Sequence, residues 1–136
     1  MIVIDTSAWV EYLRGTGSPA HLTLRRLLGE KTDLAVTEIV VMELLAGARS
    51  ARHAEMLRET LLAFPVLSLQ GLASYEAAAT LYRSCRRAGK TVRRMTDCLI
   101  AVAAIEAGVP ILHAGSDFDA LAAHTDLKIH PLDVAG

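Results

Sequence analysis

Four carboxylates in this 136-residue chain stand where surface or capping roles leave something unexplained: Asp5, Glu43, Asp97 and Asp117. Asp5 ends the apolar run Met1-Ile2-Val3-Ile4 and is followed by two hydroxyls, Thr6 and Ser7. Glu43 is the single charge between Ile39 and Ala48, and Asp97 the single charge between Thr96 and Ile105. Asp117 follows Ile111-Leu112-His113 closely and precedes Phe118-Asp119-Ala120-Leu121. Each has a structural alternative, since an acid in a first turn complements the helix dipole and can cap the helix, and a carboxylate among apolar residues can be ion-paired. Gathered together they mean more. Carboxylates within a few ångströms repel by about 4 kcal/mol per close pair at an effective dielectric near 20, and they would not all stay ionised without a cation. An all-oxygen donor set suits Mg²⁺ or Mn²⁺ with water and substrate phosphate. The corresponding chemistry is phosphodiester hydrolysis, in which the metal activates and orients water and shields developing charge. No Ser-His-Asp or Cys-His arrangement and no Gly-rich phosphate loop competes for the role.

The elements that must position these acids can be read from periodicity. Ile2 to Ile4 fits a strand buried on both faces, with Asp5 at its carboxyl end, the edge at which open α/β sheets bind ligands. A short helix over Ala8–Arg14 is capped by Thr6 or Ser7 and stopped by Gly15 and Gly17. A second helix covers Pro19–Gly29, and Leu34–Val36 is a strand. Thr37 caps a helix from Glu38 to about Arg49, which from Ile39 to Ala48 is apolar on every face apart from Glu43 and is therefore expected to be buried. Another helix runs over Ala51–Ala63. Phe64–Leu67 reads as an edge strand, because Pro65 cannot serve a central ladder. Helices over Leu72–Ala88 and Asp97–Ala107 are closed by Gly89 and Gly108, the latter with Thr96 as its cap. Strands at Ile111–His113 and Leu127–His130 flank a short helix over Asp117–Ala123, for which Ser116 or Asp117 is the expected cap. The alternation predicts one α/β domain over residues 1–136, a three-layer fold with a mostly parallel sheet of about five short strands and helices on both faces. In such a fold Asp5 and Asp117 converge by topology, and Glu43 and Asp97 are compatible with the same edge.

Composition constrains the rest. Apolar residues make up 52% of the chain and aromatics 4%, which predicts a Leu, Ile, Val and Ala core with enough surplus for an apolar subunit interface. A net charge of −1 gives no global attraction for a polyanion. Any such partner must be held locally, and six of the fourteen Lys and Arg fall between Arg83 and Arg94. Arg86, Arg87, Lys90, Arg93 and Arg94 are candidate contacts for an RNA backbone; a solvated helix end is the alternative. His113 reads as a satisfied strand-end histidine, and Trp9 and Tyr12 as core or interface. Cys85 and Cys98 lack zinc-like or disulfide spacing, which points to a reducing cytosolic setting. The longest uncharged stretch, Thr60 to Tyr75, is interrupted by Pro65, Gln70 and Gly71 and is too short to span a membrane. The apolar run at the N-terminus has no basic segment before it and is too short for a signal peptide, so neither membrane insertion nor secretion is expected.

In order along the chain, Asp5-Thr6-Ser7 after an apolar strand, the lone Glu43, Thr96-Asp97-Cys98-Leu99-Ile100-Ala101 and His113-Ala114-Gly115-Ser116-Asp117-Phe118-Asp119 resemble the motifs of PIN-domain ribonucleases. Within them the chain is most similar to VapC-type toxins, over essentially its whole length. The resemblance implies a metal-dependent endoribonuclease that acts as a homodimer and is neutralised by a cognate antitoxin. It implies that Asp5, Asp97 and Asp117 hold Mg²⁺ or Mn²⁺, that Glu43 completes the acidic pocket, and that Thr6, Ser7 and Thr96 support the acids. Gly115 departs from the pattern, standing where the family often has a further Asp or Asn. The fourth corner then rests on Asp117, helped by Asp119. Two rival readings remain: a non-catalytic RNA-binding or interaction module in which the acids are caps and ion pairs, and an aspartate-based phosphotransferase. The second is disfavoured by Ser7, which occupies the place where such enzymes carry their second acid.

Overall fold

The computed structural model describes residues 1–134. Its elements are β1 (Ile2–Ile4), α1 (Thr6–Arg14), α2 (Pro19–Gly29), β2 (Leu34–Thr37), α3 (Glu38–Ala46), α4 (Ala51–Leu61), β3 (Val66–Leu67), α5 (Leu72–Arg87), α6 (Met95–Ala107), β4 (Ile111–Leu112) and α7 (Ser116–His124). The sheet is parallel throughout, in the order β3-β2-β1-β4. Val3 is in register with Ala35 on one side and Ile111 on the other, which makes β1 a central strand. Successive side chains of a strand point to opposite faces. Since Ile2, Val3 and Ile4 are all buried, both faces of the sheet are covered, the arrangement expected of the parallel α/β class.

As Pro65 predicts, β3 lies at the sheet edge. The expected fifth strand over Leu127–His130 shrinks to one isolated parallel bridge between Ile111 and Ile129. The Ile111 N–H donates to the Lys128 carbonyl at 2.9 Å and the His130 N–H to the Ile111 carbonyl at 2.8 Å. The ladder cannot extend, because β4 has two residues and Pro131 has no N–H to add. Beyond it the tail is pinned to α2: the Asp133 N–H donates to Thr23 Oγ1 at 2.7 Å, and Arg26 donates to both Asp133 oxygens at 2.7 and 3.0 Å. That guanidinium holds the Asp133 carboxyl below its ordinary range.

Helix caps differ from expectation at three of the four acids. Asp5 itself, rather than Thr6 or Ser7, caps α1. Helix α6 begins at Met95 with Arg94 in the cap position and no side-chain cap bond, so Thr96 lies inside the first turn. Helix α7 begins at Ser116 after Gly115, and neither Ser116 nor Asp117 caps it. Helix α3 ends at Ala46, short of Arg49, and it is not buried all round. Val40 and Leu44 face the core while Met42 is 55% exposed, because only one side of the helix meets its neighbours.

Trp9, Phe118, Leu24 and Ile100 lie in the core. Trp9 makes an edge contact with Tyr12 at 6.0 Å and packs on Phe64 at 5.8 Å, which is a packing role for both aromatic residues of α1. Cys85 and Cys98 are free and buried, and burial pushes the Cys98 thiol up to about 11, which leaves it inert near neutral pH. Among the described residues no helix is long and apolar enough to cross a membrane.

Candidate active site

The strand β1 delivers Asp5 to the carboxyl edge of the sheet, where the turn into α1 puts a carboxylate at that helix's N-terminus. Its Oδ2 accepts from the Ser7 N–H at 2.9 Å and from Ser7 Oγ at 2.5 Å. Ser7 Oγ in turn accepts from the Ala114 N–H at 2.9 Å, tying the end of β1 to the loop after β4. Asp5 is 3% exposed, and its Oδ1 is buried with no hydrogen-bond partner. Burial raises its pKa above the ordinary value, against the lowering effect of the Ser7 bonds. Glu43 reaches in from α3: its Oε1 accepts from Thr6 Oγ1 at 2.9 Å, and its Oε2 accepts from Arg94 Nη2.

Asp97, in the first turn of α6, is pushed up to about 6, first by burial and then by the neighbouring charge of Asp5; Arg94 pulls the other way. Asp117, in the first turn of α7, accepts at Oδ2 from the Arg93 N–H at 3.1 Å and from Arg93 Nε at 3.4 Å. These four acids line one cavity of about 340 Å³, together with Thr6, Ser7, Arg93, Arg94 and Gly115. A Cβ added at Gly115 would meet nothing within 4 Å, so space does not keep an acid from that position.

Several sequence candidates lie elsewhere. Thr96 is not in the cavity wall. Asp119 is 72% exposed and pairs with His113 Nε2 at 3.3 Å, away from Asp117. His113 is satisfied, its Nδ1 accepting from the Gly115 N–H at 3.0 Å. Of the basic cluster only Arg93 and Arg94 reach the wall; Arg86, Arg87 and Lys90 stay exposed around the end of α5, with Arg86 over the Tyr82 ring at 5.6 Å. Glu11 and Arg14 were missed and do line the cavity. A signal for them exists, because Ser7, Glu11 and Arg14 recur at helical spacing on one face of α1. A second recess of about 490 Å³ shares Thr6, Val10, Arg14 and Glu43 with the first and adds Arg49 and His53.

Residues 2–124 match the PIN domain family. The chain belongs to the PIN-domain family. It is 46% identical over 129 residues to VapC ribonuclease Mb1587 of Mycobacterium bovis, covering 94% of this chain and 96% of that protein. The same identity and coverage relate it to ribonuclease VapC11 of Mycobacterium tuberculosis, which makes it a PIN domain of the VapC type. Among solved structures, VapBC2 from Rickettsia felis bound to a DNA fragment from its promoter superposes with a TM-score of 0.73 at 17% identity, over 98% of this chain and all of that one.

The donor chemistry of this PIN domain suits a hard divalent cation. Four carboxylates line one small cavity, and the Asp5 Oδ1 is a buried anionic acceptor without a donor, which is unfavourable unless something positive meets it. Among the described residues no three His, Cys, Asp or Glu side chains form a ready-made metal cluster. Glu43 is shared between Thr6 and Arg94, and Asp117 accepts from Arg93.

Proposed function

We propose that this PIN domain is a metal-dependent endoribonuclease toxin that hydrolyses RNA phosphodiester bonds and is neutralised by a cognate antitoxin. The observation that carries the reading is the buried Asp5 carboxylate, with one oxygen lacking a partner in a cavity lined by three more acids. Its relatives are named ribonucleases, which supports RNA as the substrate. Structural neighbours that are toxin–antitoxin complexes support the antitoxin.

Asp5, Asp97 and Asp117 are the residues that would hold Mg²⁺ or Mn²⁺. When bound, such a cation supplies Lewis-acid polarisation of the phosphodiester and activation of water. The chain's own contributions are positional and electrostatic. Ser7 restricts Asp5 through two hydrogen bonds to Oδ2, leaving Oδ1 without a protein donor. Thr6 holds Glu43 at the wall. Asp97, pushed up to about 6 by burial and the charge of Asp5, must be ionised to serve as a ligand. Burial of Asp5 against the core strengthens the charge interactions it makes.

Purified protein is expected to cut total RNA into discrete fragments with Mg²⁺ or Mn²⁺ and to stop when EDTA is added. RNA binding that survives EDTA, with no cleavage under any condition by folded, antitoxin-free protein, would replace this reading with the binding-module one. We further propose a homodimer, supported by the apolar side chains left exposed on α3 and α5, including Met42, Leu72 and Tyr75. Light scattering at micromolar concentration checks it, and a monomer mass would refute it.

A further inference from the structure

We propose that Arg93 and Arg94 are internal counterions of the acid cavity, holding Asp117 and Glu43 until a divalent cation displaces them and then turning to the RNA backbone. The proposal rests on reading the cavity as a metal-dependent nuclease site and concerns how that site is regulated. Two adjacent residues in the connection between α5 and α6 reach acids on two different helices. Arg93 donates to Asp117 from its backbone N–H and its Nε, and from Nη2 to Ser116 at 3.3 Å. Arg94 donates to Glu43 on α3, 51 residues away in sequence, and its charge also acts on Asp97. Three of the four acids are thus answered by one dipeptide.

The two sides of these pairs are unequal. The Arg93 and Arg94 side chains are 73% and 60% exposed, whereas those of Asp117 and Glu43 are 14% and 13% exposed. The carboxylates are built into helices at the wall, while the guanidinium groups lie at the mouth on long flexible stems. Ion pairs with so exposed a partner are weak, and two positive charges on one small ion compete well against them. A released guanidinium has a planar fork that matches phosphate, and it stands beside the cavity to which the RNA must come. Binding linkage is reciprocal, so a cation that frees the arginines for RNA must in turn be bound more tightly when RNA is present. The competing structural role, fastening the connection ahead of α6, predicts a loss of stability on substitution and no gain in metal affinity.

The test measures binding, without cleavage. Mn²⁺ is titrated calorimetrically into wild type, Arg94→Gln and Arg58→Gln, the last removing an equal charge from an exposed pair with Glu55 on α4. Arg94→Gln is expected to bind Mn²⁺ about fivefold more tightly, the equivalent of one weak surface ion pair, and Arg58→Gln to match wild type. A 2′-O-methyl oligoribonucleotide, checked by gel electrophoresis to stay intact through the measurement, should bind wild type several-fold more tightly once Mn²⁺ is added, and the Arg93→Gln/Arg94→Gln double variant should lose that gain. Mn²⁺ affinity unchanged or weakened in Arg94→Gln, or oligonucleotide binding indifferent to Mn²⁺ in wild type, overturns the proposal. A chain that cuts RNA but shows no Arg94 effect on Mn²⁺ refutes the counterion role alone; one that shows the Arg94 effect but never cuts RNA refutes the nuclease reading alone.

Discussion

Asp5→Asn is expected to lower RNA cleavage at least a thousandfold while leaving the protein no less stable than wild type. Asn has nearly the same shape, and its Oδ1 can take over the Ser7 N–H and Ser7 Oγ bonds that now go to Oδ2, so the cap of α1 survives. What disappears is a negative charge buried among β1, α1 and the loop after β4, and with it an anionic acceptor with no donor. Positioned charges in water-poor sites are worth factors of roughly 10²–10³ each in rate, and loss of a cation ligand adds to that. Stability moves the other way. The pKa of Asp5 is raised in the folded protein, so its ionised form opposes folding at neutral pH and the neutral amide removes that opposition. The pair of measurements is decisive: cleavage within tenfold of wild type by a folded variant would reduce Asp5 to a helix cap. A large drop in melting temperature would show that its charge stabilises the fold.

The second large effect is a pH dependence centred on Asp97. With its pKa at about 6, Asp97 must lose its proton before it can serve as a ligand. At a fixed, sub-saturating Mn²⁺ concentration, cleavage is therefore expected to fall up to tenfold per pH unit below about 6, and more Mn²⁺ should move the inflection to lower pH. Stability of protein kept in EDTA has its own sign. A carboxylate raised from 3.8 to about 6 on folding stabilises fully below about 3.8, and that contribution is lost as pH rises through about 6. His130 opposes this in part of the same window, because burial and then Arg26 lower its pKa, so the folded state resists its protonation below about 6.5. The comparison must therefore be with Asp97→Asn, which retains His130. The wild type should lose melting temperature relative to Asp97→Asn as pH rises from about 4 to about 6, and the difference should level off above that. Parallel melting-temperature profiles for the two proteins would mean that Asp97 is not perturbed, and a cleavage rate flat between pH 5 and 7 would remove it from the reaction.

Much of this arrangement is legible in local sequence. A short apolar run ending in Asp-Thr-Ser encodes a central strand with its acid at the ligand-binding edge, because a strand with both faces covered needs no polar alternation. Pro65 marks the edge strand through a missing N–H. Glu43 and Asp97 announce themselves as the lone charges of the stretches Ile39–Ala48 and Thr96–Ile105, a pattern independent of the partner they find. Thr37 caps α3 through its side-chain oxygen, as its place before Glu38 predicts, whereas the caps expected for α1, α6 and α7 fell to other residues.

Tertiary structure decided which partner each group takes and which face stays open. Ser7 meets the backbone 107 residues away, Arg94 meets Glu43 across 51, and Arg93 meets Asp117 across 24. No spacing rule links these positions, and they are set by where the helix starts land on the sheet edge. The same packing left Arg86, Arg87 and Lys90 outside the cavity and brought in Glu11 and Arg14. It opened one side of α3 to solvent and left the last strand too short to form. Periodicity and scarcity of charge are properties of a chain segment, whereas ion pairs, cavity walls and exposed faces depend on elements distant in sequence, and only their docking chooses among competing partners.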